Sequence, residues 1–176
     1  MVKISRFFAY VSFFILSLMY FAPKISMYYF LEKQLQNYEL IISNEECIDT
    51  GYALDIKHAT VSLKSIDAAK IAEINIKIFA FYNSINVNDI YLSSMASSFV
   101  PLKIENVNIV YSVIDPTNIL ATSYGEFGEI DAKFDLLEMK FRAILTPSKL
   151  MLSKYKNTLR KFKKLKTGGY LYEKNI

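Results

Sequence analysis

The feature that most constrains this chain is an uncharged run near its start, Phe7 to Ala22, FFAYVSFFILSLMYFA. A helix that is apolar on every side must bury itself in a bilayer or in protein. At a rise of about 1.5 Å per residue the run covers roughly 24 Å, slightly less than a hydrocarbon core. The segment behind it, PKISMYYFLEKQL, extends that reach: Lys24 is placed to snorkel, with Tyr28, Tyr29 and Phe30 at the interface. A transmembrane anchor is therefore expected. A cleaved signal peptide is the rival reading, but Tyr20, Phe21 and Ala22 offer no small-x-small site and Pro23 follows directly. A buried helix of a soluble fold is the third. Lys3 and Arg6 precede the run and Lys24 follows it, partly offset by Glu32. The positive-inside tendency then leaves the N-terminus in the cytoplasm and the body outside.

Behind the anchor there is room for one modest core. The sequence divides into a tip and anchor over 1–23, a juxtamembrane helix and linker over 24–50, and a body over 51–176. Pro23 suits the first turn of a helix, and Lys24 to Tyr38 is rich in helix formers. Ser43 to Gly51, SNEECIDTG, reads as a polar loop.

From Tyr52 the period changes to two. Leu54, Ile56, His58 and Thr60 alternate with Asp55, Lys57 and Ala59, and the pattern then slips by one to Val61 and Leu63, which signals a bulge or a turn. Ile74, Ile76 and Ile78 continue the theme; Ile85 and Val87 follow, with a second slip before Ile90 and Leu92. Leu102 and Ile104, then Val107, Ile109, Tyr111 and Val113, make a further run. Ile130, Ala132, Phe134 and Leu136 precede Met139, Phe141, Ala143 and Leu145, with Asp135 to Glu138 as the turn of a hairpin. Asp115-Pro116-Thr117 favours a turn or a helical start, and Ser93 to Ser98 a loop. The pattern describes an antiparallel meander of about six strands with one apolar face.

Pro147 opens a helix in which Leu150, Tyr155, Leu159 and Phe162 keep helical spacing before Gly168-Gly169 stops it. Its other faces are basic, and no acidic residue occurs between Lys149 and Lys166. Lys154, Arg160, Lys161 and Lys164 form the candidate basic surface, either simply solvated or set against anionic headgroups or an acidic partner. The formal charge of +4 on the whole chain is too small, and too confined to this stretch, for a general nucleic-acid surface.

Chemistry is sparse. Cys47 and His58 are the only residues of their kinds, which excludes an internal disulfide and a cysteine-based zinc cage. His58 falls within an alternating strand, where a lone histidine is ordinarily structural. Cys47, beside Glu45 and Glu46, is a poor thiolate. No GxSxG, HExxH, phosphate-binding loop or GxGxxG pattern occurs. No enzyme, cofactor, metal or nucleic-acid partner is expected.

The anchor, the meander, a strand opened by Gly128-Glu129-Ile130-Asp131-Ala132, the Leu145-Thr146-Pro147-Ser148 ending and the helix before Gly168-Gly169-Tyr170 follow one another in an order that resembles the type II secretion system protein N family and the wider group of AsmA-like proteins. The likeness is one of layout and hydrophobic pattern, covers most of residues 10–172 and is greatest from Gly125 to Tyr172. It implies a mainly β fold with a C-terminal helix: a curved, trough-like antiparallel meander behind a single-pass anchor in a bacterial inner membrane, with the body periplasmic. It carries no catalytic residues. The expected role is a non-enzymatic subunit of an envelope assembly, type II secretion-like by resemblance, whose partners are other envelope proteins and, through the anchor, membrane lipid. The alternative is a lipid-handling module whose apolar trough is lined by Ile74, Ile76, Ile78, Phe134, Leu136 and Phe141.

Overall fold

A computed structural model describes residues 2–64, 66–166 and 168–175. Two helices open the chain, α1 (Val2–Tyr20) and α2 (Lys24–Gln36). The strands are β1 (Leu40–Ser43), β2 (Glu46–Asp49), β3 (Ala53–Leu63), β4 (Ile66–Ile78), β5 (Tyr82–Leu92), β6 (Lys103–Ser112), β7 (Asp115–Gly125), β8 (Gly128–Asp135) and β9 (Lys140–Pro147). Two short helices, α3 (Lys149–Lys154) and α4 (Lys156–Leu159), lead to β10 (Lys163–Lys164) and β11 (Tyr170–Asn175).

All eleven strands belong to one antiparallel sheet in the order β1-β3-β4-β5-β6-β7-β8-β9-β11-β10, with β2 also paired to β3. β1 and β2 follow a single register along β3, from Leu40 opposite Leu63 to Asp49 opposite Leu54. They are one edge strand interrupted at Asn44 and Glu45. The segment expected as a polar loop thus contains β2, whose two carboxylates and single apolar pair give almost no strand signal.

Directly opposed residues of an antiparallel pair share a face, so the registers trace rows across the sheet. One row runs Leu54, Ile76, Ile85, Ile109, Ala121, Ala132, Ala143, Tyr172. The next runs Ile78, Asn83, Tyr111, Ile119, Phe134, Phe141. This face is apolar nearly from edge to edge. The opposite face carries amides: Asn75 donates to Asp55, Asn88 to Glu73 at 3.3 Å, and Asn106 to both Asn86 at 2.5 Å and Asn88 at 2.7 Å.

The slips in the apolar pattern share one physical cause, and the first lies at His58 rather than after Thr60. Inward residues are three apart instead of two where Ile56 gives way to Ala59, Ile71 to Ile74, Val87 to Ile90 and Ile104 to Val107. These steps lie side by side, because Ala59, Ile71, Ile90 and Ile104 oppose one another in turn. The backbone absorbs the extra residue by entering the left-handed region at Asn44 (φ 63°), His58 (φ 58°) and Asp89 (φ 49°). These residue types tolerate it best after glycine. The crease ends between β6 and β7, where the pairing steps from Ile104–Gly125 to Asn106–Tyr124 and leaves Glu105 unpaired. His58 consequently does not share the inward face of Leu54 and Ile56; it is exposed, and Ala59 takes the buried position.

Among the described residues, helices cover only the two flanks of the apolar face. On one, α2 lays Tyr28 against Leu54, Ile56 and Ala59, with Ile25, Ile42, Cys47, Ile71 and Ile74 around them. On the other, Met151 of α3 and Leu159 of α4 pack on Phe127 and Leu145. Ser148 fixes the approach to α3: its hydroxyl donates to the Glu126 carbonyl at 2.6 Å and accepts from the Met151 N–H at 3.1 Å. A continuous C-terminal helix does not form. Tyr155 leaves helical geometry at φ −113°, ψ 32°, and Lys163–Lys164 pair with β11 as a strand. Helical spacing of four apolar residues was compatible with two short turns that dock separately.

Candidate functional site

Beyond the α2 flank, whose core Ile74 and Ile76 join at its margin, the apolar face has no second layer among the described residues. Across β4 to β8, Ile74, Ile76, Ile78, Val87, Val107, Ile109, Tyr111 and Ile119 are all half-buried, and Ile85 keeps 37% of its surface exposed. By contrast Ile56, under α2, is 0% exposed. Sheets ordinarily bury such a face against a helix layer or another sheet. Here the described residues supply neither, and a strip of aliphatic side chains about five strands wide stays open, roughly 20 Å at 4.8 Å per strand.

Five of the six residues expected to line an apolar trough fall on this face. Ile74, Ile76 and Ile78 succeed one another on β4, and Phe134 opposes Phe141 between β8 and β9. Leu136 does not belong with them: it lies in the turn after β8, at the end of the sheet, its N–H bonded to the Thr117 carbonyl at 2.8 Å. Strand parity alone extends β8 too far, because Asp135 caps the turn by accepting from the N–H groups of Leu137 and Glu138. Those same bonds hold the Asp135 carboxyl below its ordinary range. Ala132, read as an inward strand residue but not as part of the trough, completes the middle of the strip with Ile119 and Ala121 of β7, a strand the sequence reading did not assign. Their small neighbours (Ala121 precedes Thr122 and Ser123) leave β7 with little alternation.

The four residues of the expected basic surface are distributed over the broken C-terminal segment. Lys154 ends α3, Arg160 and Lys161 follow α4, and Lys164 is in β10; all four are exposed, and among the described residues none of them is in an ion pair. Arg160 and Lys164 rim an open recess floored by Leu152, Leu159, Phe162 and Tyr170.

The helical elbow is built around Lys24. Expected to snorkel, its side chain is instead wholly buried. Its ammonium is 3.3 Å from the Asp49 carboxylate and donates to the Tyr20 and Ala22 carbonyls at 3.4 and 3.3 Å. It thereby supplies a cation to the free carbonyls at the end of α1, where the helix dipole favours one. Asp49 also accepts from the Gly51 N–H at 2.8 Å. Gly51, at φ 85°, lies flat beneath the Tyr20 ring, and a Cβ there would come within 2.3 Å of it. Tyr20 in turn meets Tyr52 edge to face at 5.4 Å. α1 and α2 meet at 53°.

No single helix among the described residues is long and apolar enough to cross a membrane; α1 from Ile4 and α2 pass that test only as a bent pair. Residues 4–14 of α1 are exposed throughout.

Reactive groups are muted. Burial, and after it the nearby Glu45 and Glu32 carboxylates, push the Cys47 thiol up, against a hydrogen bond with Tyr29 that lowers it. Among the described residues no group of three or more His, Cys, Asp or Glu side chains is placed to hold a metal ion. The fold and face define a single-layer antiparallel β protein with an apolar helix at its N-terminus. No protein-family model matches the chain, and no curated protein or solved structure is significantly similar to it.

Proposed function

We propose that this is a membrane-tethered, non-enzymatic envelope protein whose open apolar face takes up the acyl chains of lipids, as an AsmA-like module. One observation carries the reading: the strip across β4 to β8 is largely apolar, interrupted at Asn83, and uncovered among the described residues, while the reverse face of the same strands is a hydrogen-bonded amide surface. An isolated patch of this kind on a soluble monomer marks a binding surface. Acyl chains match it because they need apolar contact without directional bonds, and apart from Asn83 and the Tyr111 hydroxyl the strip offers none. α1 serves as the tether, in a bacterial inner membrane with the body in the periplasm.

A second role, as a subunit of a type II secretion-like assembly, draws support from the strand edges. The outer sides of β2 and of β11 beyond Tyr172 have no paired neighbour among the described residues, and a free edge admits a partner strand.

Photocrosslinking in living cells separates the two. Reactive side chains at Ile76 and Phe134, with Asn75 as the control on the reverse face, should give phospholipid adducts at the first two positions alone. Adducts with other envelope proteins would favour the assembly role, and crosslinks only within the chain would defeat both.

A further inference from the structure

We propose that one end of the sheet is itself a membrane contact, its hairpin tips dipping into the bilayer that holds α1; the proposal rests on the reading of α1 as the anchor. Antiparallel connection sends alternate turns to opposite ends. The β2–β3 loop and the β4–β5, β6–β7 and β8–β9 turns therefore share one end, and the β3–β4, β5–β6 and β7–β8 connections share the other. At the first end the tips are apolar and turned outward: Phe81 is 64% exposed, Ile114 93% and Leu137 78%. The Phe79–Phe81 and Val113–Ile114 turns contain no charged residue, and the third tip contains one, Glu138. Neighbouring tips are two strands apart, about 10 Å, so they line up along one edge as contact with a flat surface requires.

Depth follows from α1. One face of that helix, Ser12, Ile15, Leu16 and Met19, borders the Phe79–Tyr82 tip across an open apolar recess. The uncharged run extends from Phe7 to Ala22, so the tip stands beside the middle of the run, not beside its end. Ile15 lies five residues before Tyr20, or about 7 Å along the axis. A bilayer that encloses the run therefore also encloses the β4–β5 tip. Phe81, Ile114 and Leu137 are the side chains such immersion would cover, and the apolar face begins within a few residues of them, at Ile78, Ile119 and Phe134. The sheet is thus presented to the membrane end-on, and the uncharged Phe79–Phe81 tip gives acyl chains an apolar route from bilayer to strip, while Asp115, Asp135, Glu138 and Lys140 place charges beside the other two tips.

The test uses the full chain in vesicles of phosphatidylethanolamine and phosphatidylglycerol. In a Cys47→Ser background, single cysteines replacing Phe81, Ile114 or Leu137 carry an environment-sensitive fluorophore. Cysteines at Phe13 in α1 and at Met95 on the far end serve as references. Blue-shifted emission quenched by nitroxide-labelled lipid is expected at the three tips and at Phe13, and none at Met95. Quenching at Phe13 with tips as wet as Met95 would overturn the membrane contact and leave the anchor standing. A wet Phe13 would remove the anchor, and the proposal with it. Quenching at Met95 equal to that at the tips would also overturn it, since the contact would then have no preferred end.

Discussion

Lys24 and Asp49 form an ion pair, 3.3 Å long, in which the lysine side chain is entirely withdrawn from solvent while the aspartate keeps 27% of its own surface. The asymmetry decides which substitution hurts more. Asp49→Asn leaves a buried ammonium with two carbonyls and no counter-charge, and should cost about 2–4 kcal/mol, the lower part of that range reflecting the partly wet carboxylate. Lys24→Met removes the charge that needs pairing and should cost less. Chemical denaturation of the two variants checks the order.

Gly128 and Gly51 both occupy positive φ, at 116° and 85°, yet their surroundings differ. A Cβ on Gly128 would meet the Thr146 carbonyl oxygen at 2.1 Å, a backbone atom fixed by the β8–β9 ladder; at Gly51 the obstacle is the Tyr20 ring, which has room to turn. Gly128→Ala is expected to lose about 3 kcal/mol or more and Gly51→Ala about 1–2 kcal/mol. Thermal unfolding of the two proteins side by side measures the difference.

Ile56 and Ile109 face the same way from strands three apart, but only Ile56 lies under a helix. Ile56→Ala should cost about 3–4 kcal/mol, as for a fully buried aliphatic side chain. Ile109→Ala should cost about 1 kcal/mol, because its side chain has given up less water on folding. Equal losses in denaturant titrations would mean that the strip is covered in solution.

Alkaline pH should weaken the fold through the α2 flank. Burial is the main cause that raises both the Cys47 thiol and the Tyr28 phenol, above ordinary values of 9.0 and 10.0. The folded state therefore holds these protons more tightly than the unfolded chain. Their stabilisation is complete below about pH 9 and is lost as pH rises through the raised values. The Tyr28 hydroxyl has no hydrogen-bond partner, so Tyr28→Phe should be neutral or stabilising by up to about 1 kcal/mol at pH 7 and should flatten the alkaline decline. Denaturation midpoints between pH 7 and 11 test this.

Much of this architecture was legible because the apolar face is long and regular. Ile74, Ile76 and Ile78, or Val107, Ile109 and Tyr111, announce strands through period two alone; the slip before Ile90 marks a real backbone irregularity at Asp89, while the slip read after Thr60 falls two residues past the irregularity at His58. Strands with small or charged inward residues stayed hidden. β7 presents Ala121 and Ser123 inward, and β2 is Glu-Cys-Ile-Asp, so about six strands were read where the described residues form eleven. The C-terminal helix failed for a different reason. Spacing fixes which residues share a face, whereas β11 pairing with Lys163 and Lys164 fixes where the helix must stop. Lys24 shows the limit for charges: nothing near it in sequence foretells Asp49, which the edge strand delivers from twenty-five residues away.

The crease that runs from Asn44 through His58 and Asp89 to Glu105 binds the history of five strand segments together. Deleting one residue from a single strand at that line would throw its far half out of phase, turning aliphatic groups to the amide side and amides inward. Its neighbours, still carrying their extra residue, could not follow. Length changes at the crease are therefore tolerable only when made in every strand it crosses, whereas the hairpin turns remain free to vary one at a time. The sheet should accordingly drift in length at its ends while its middle row keeps a fixed count.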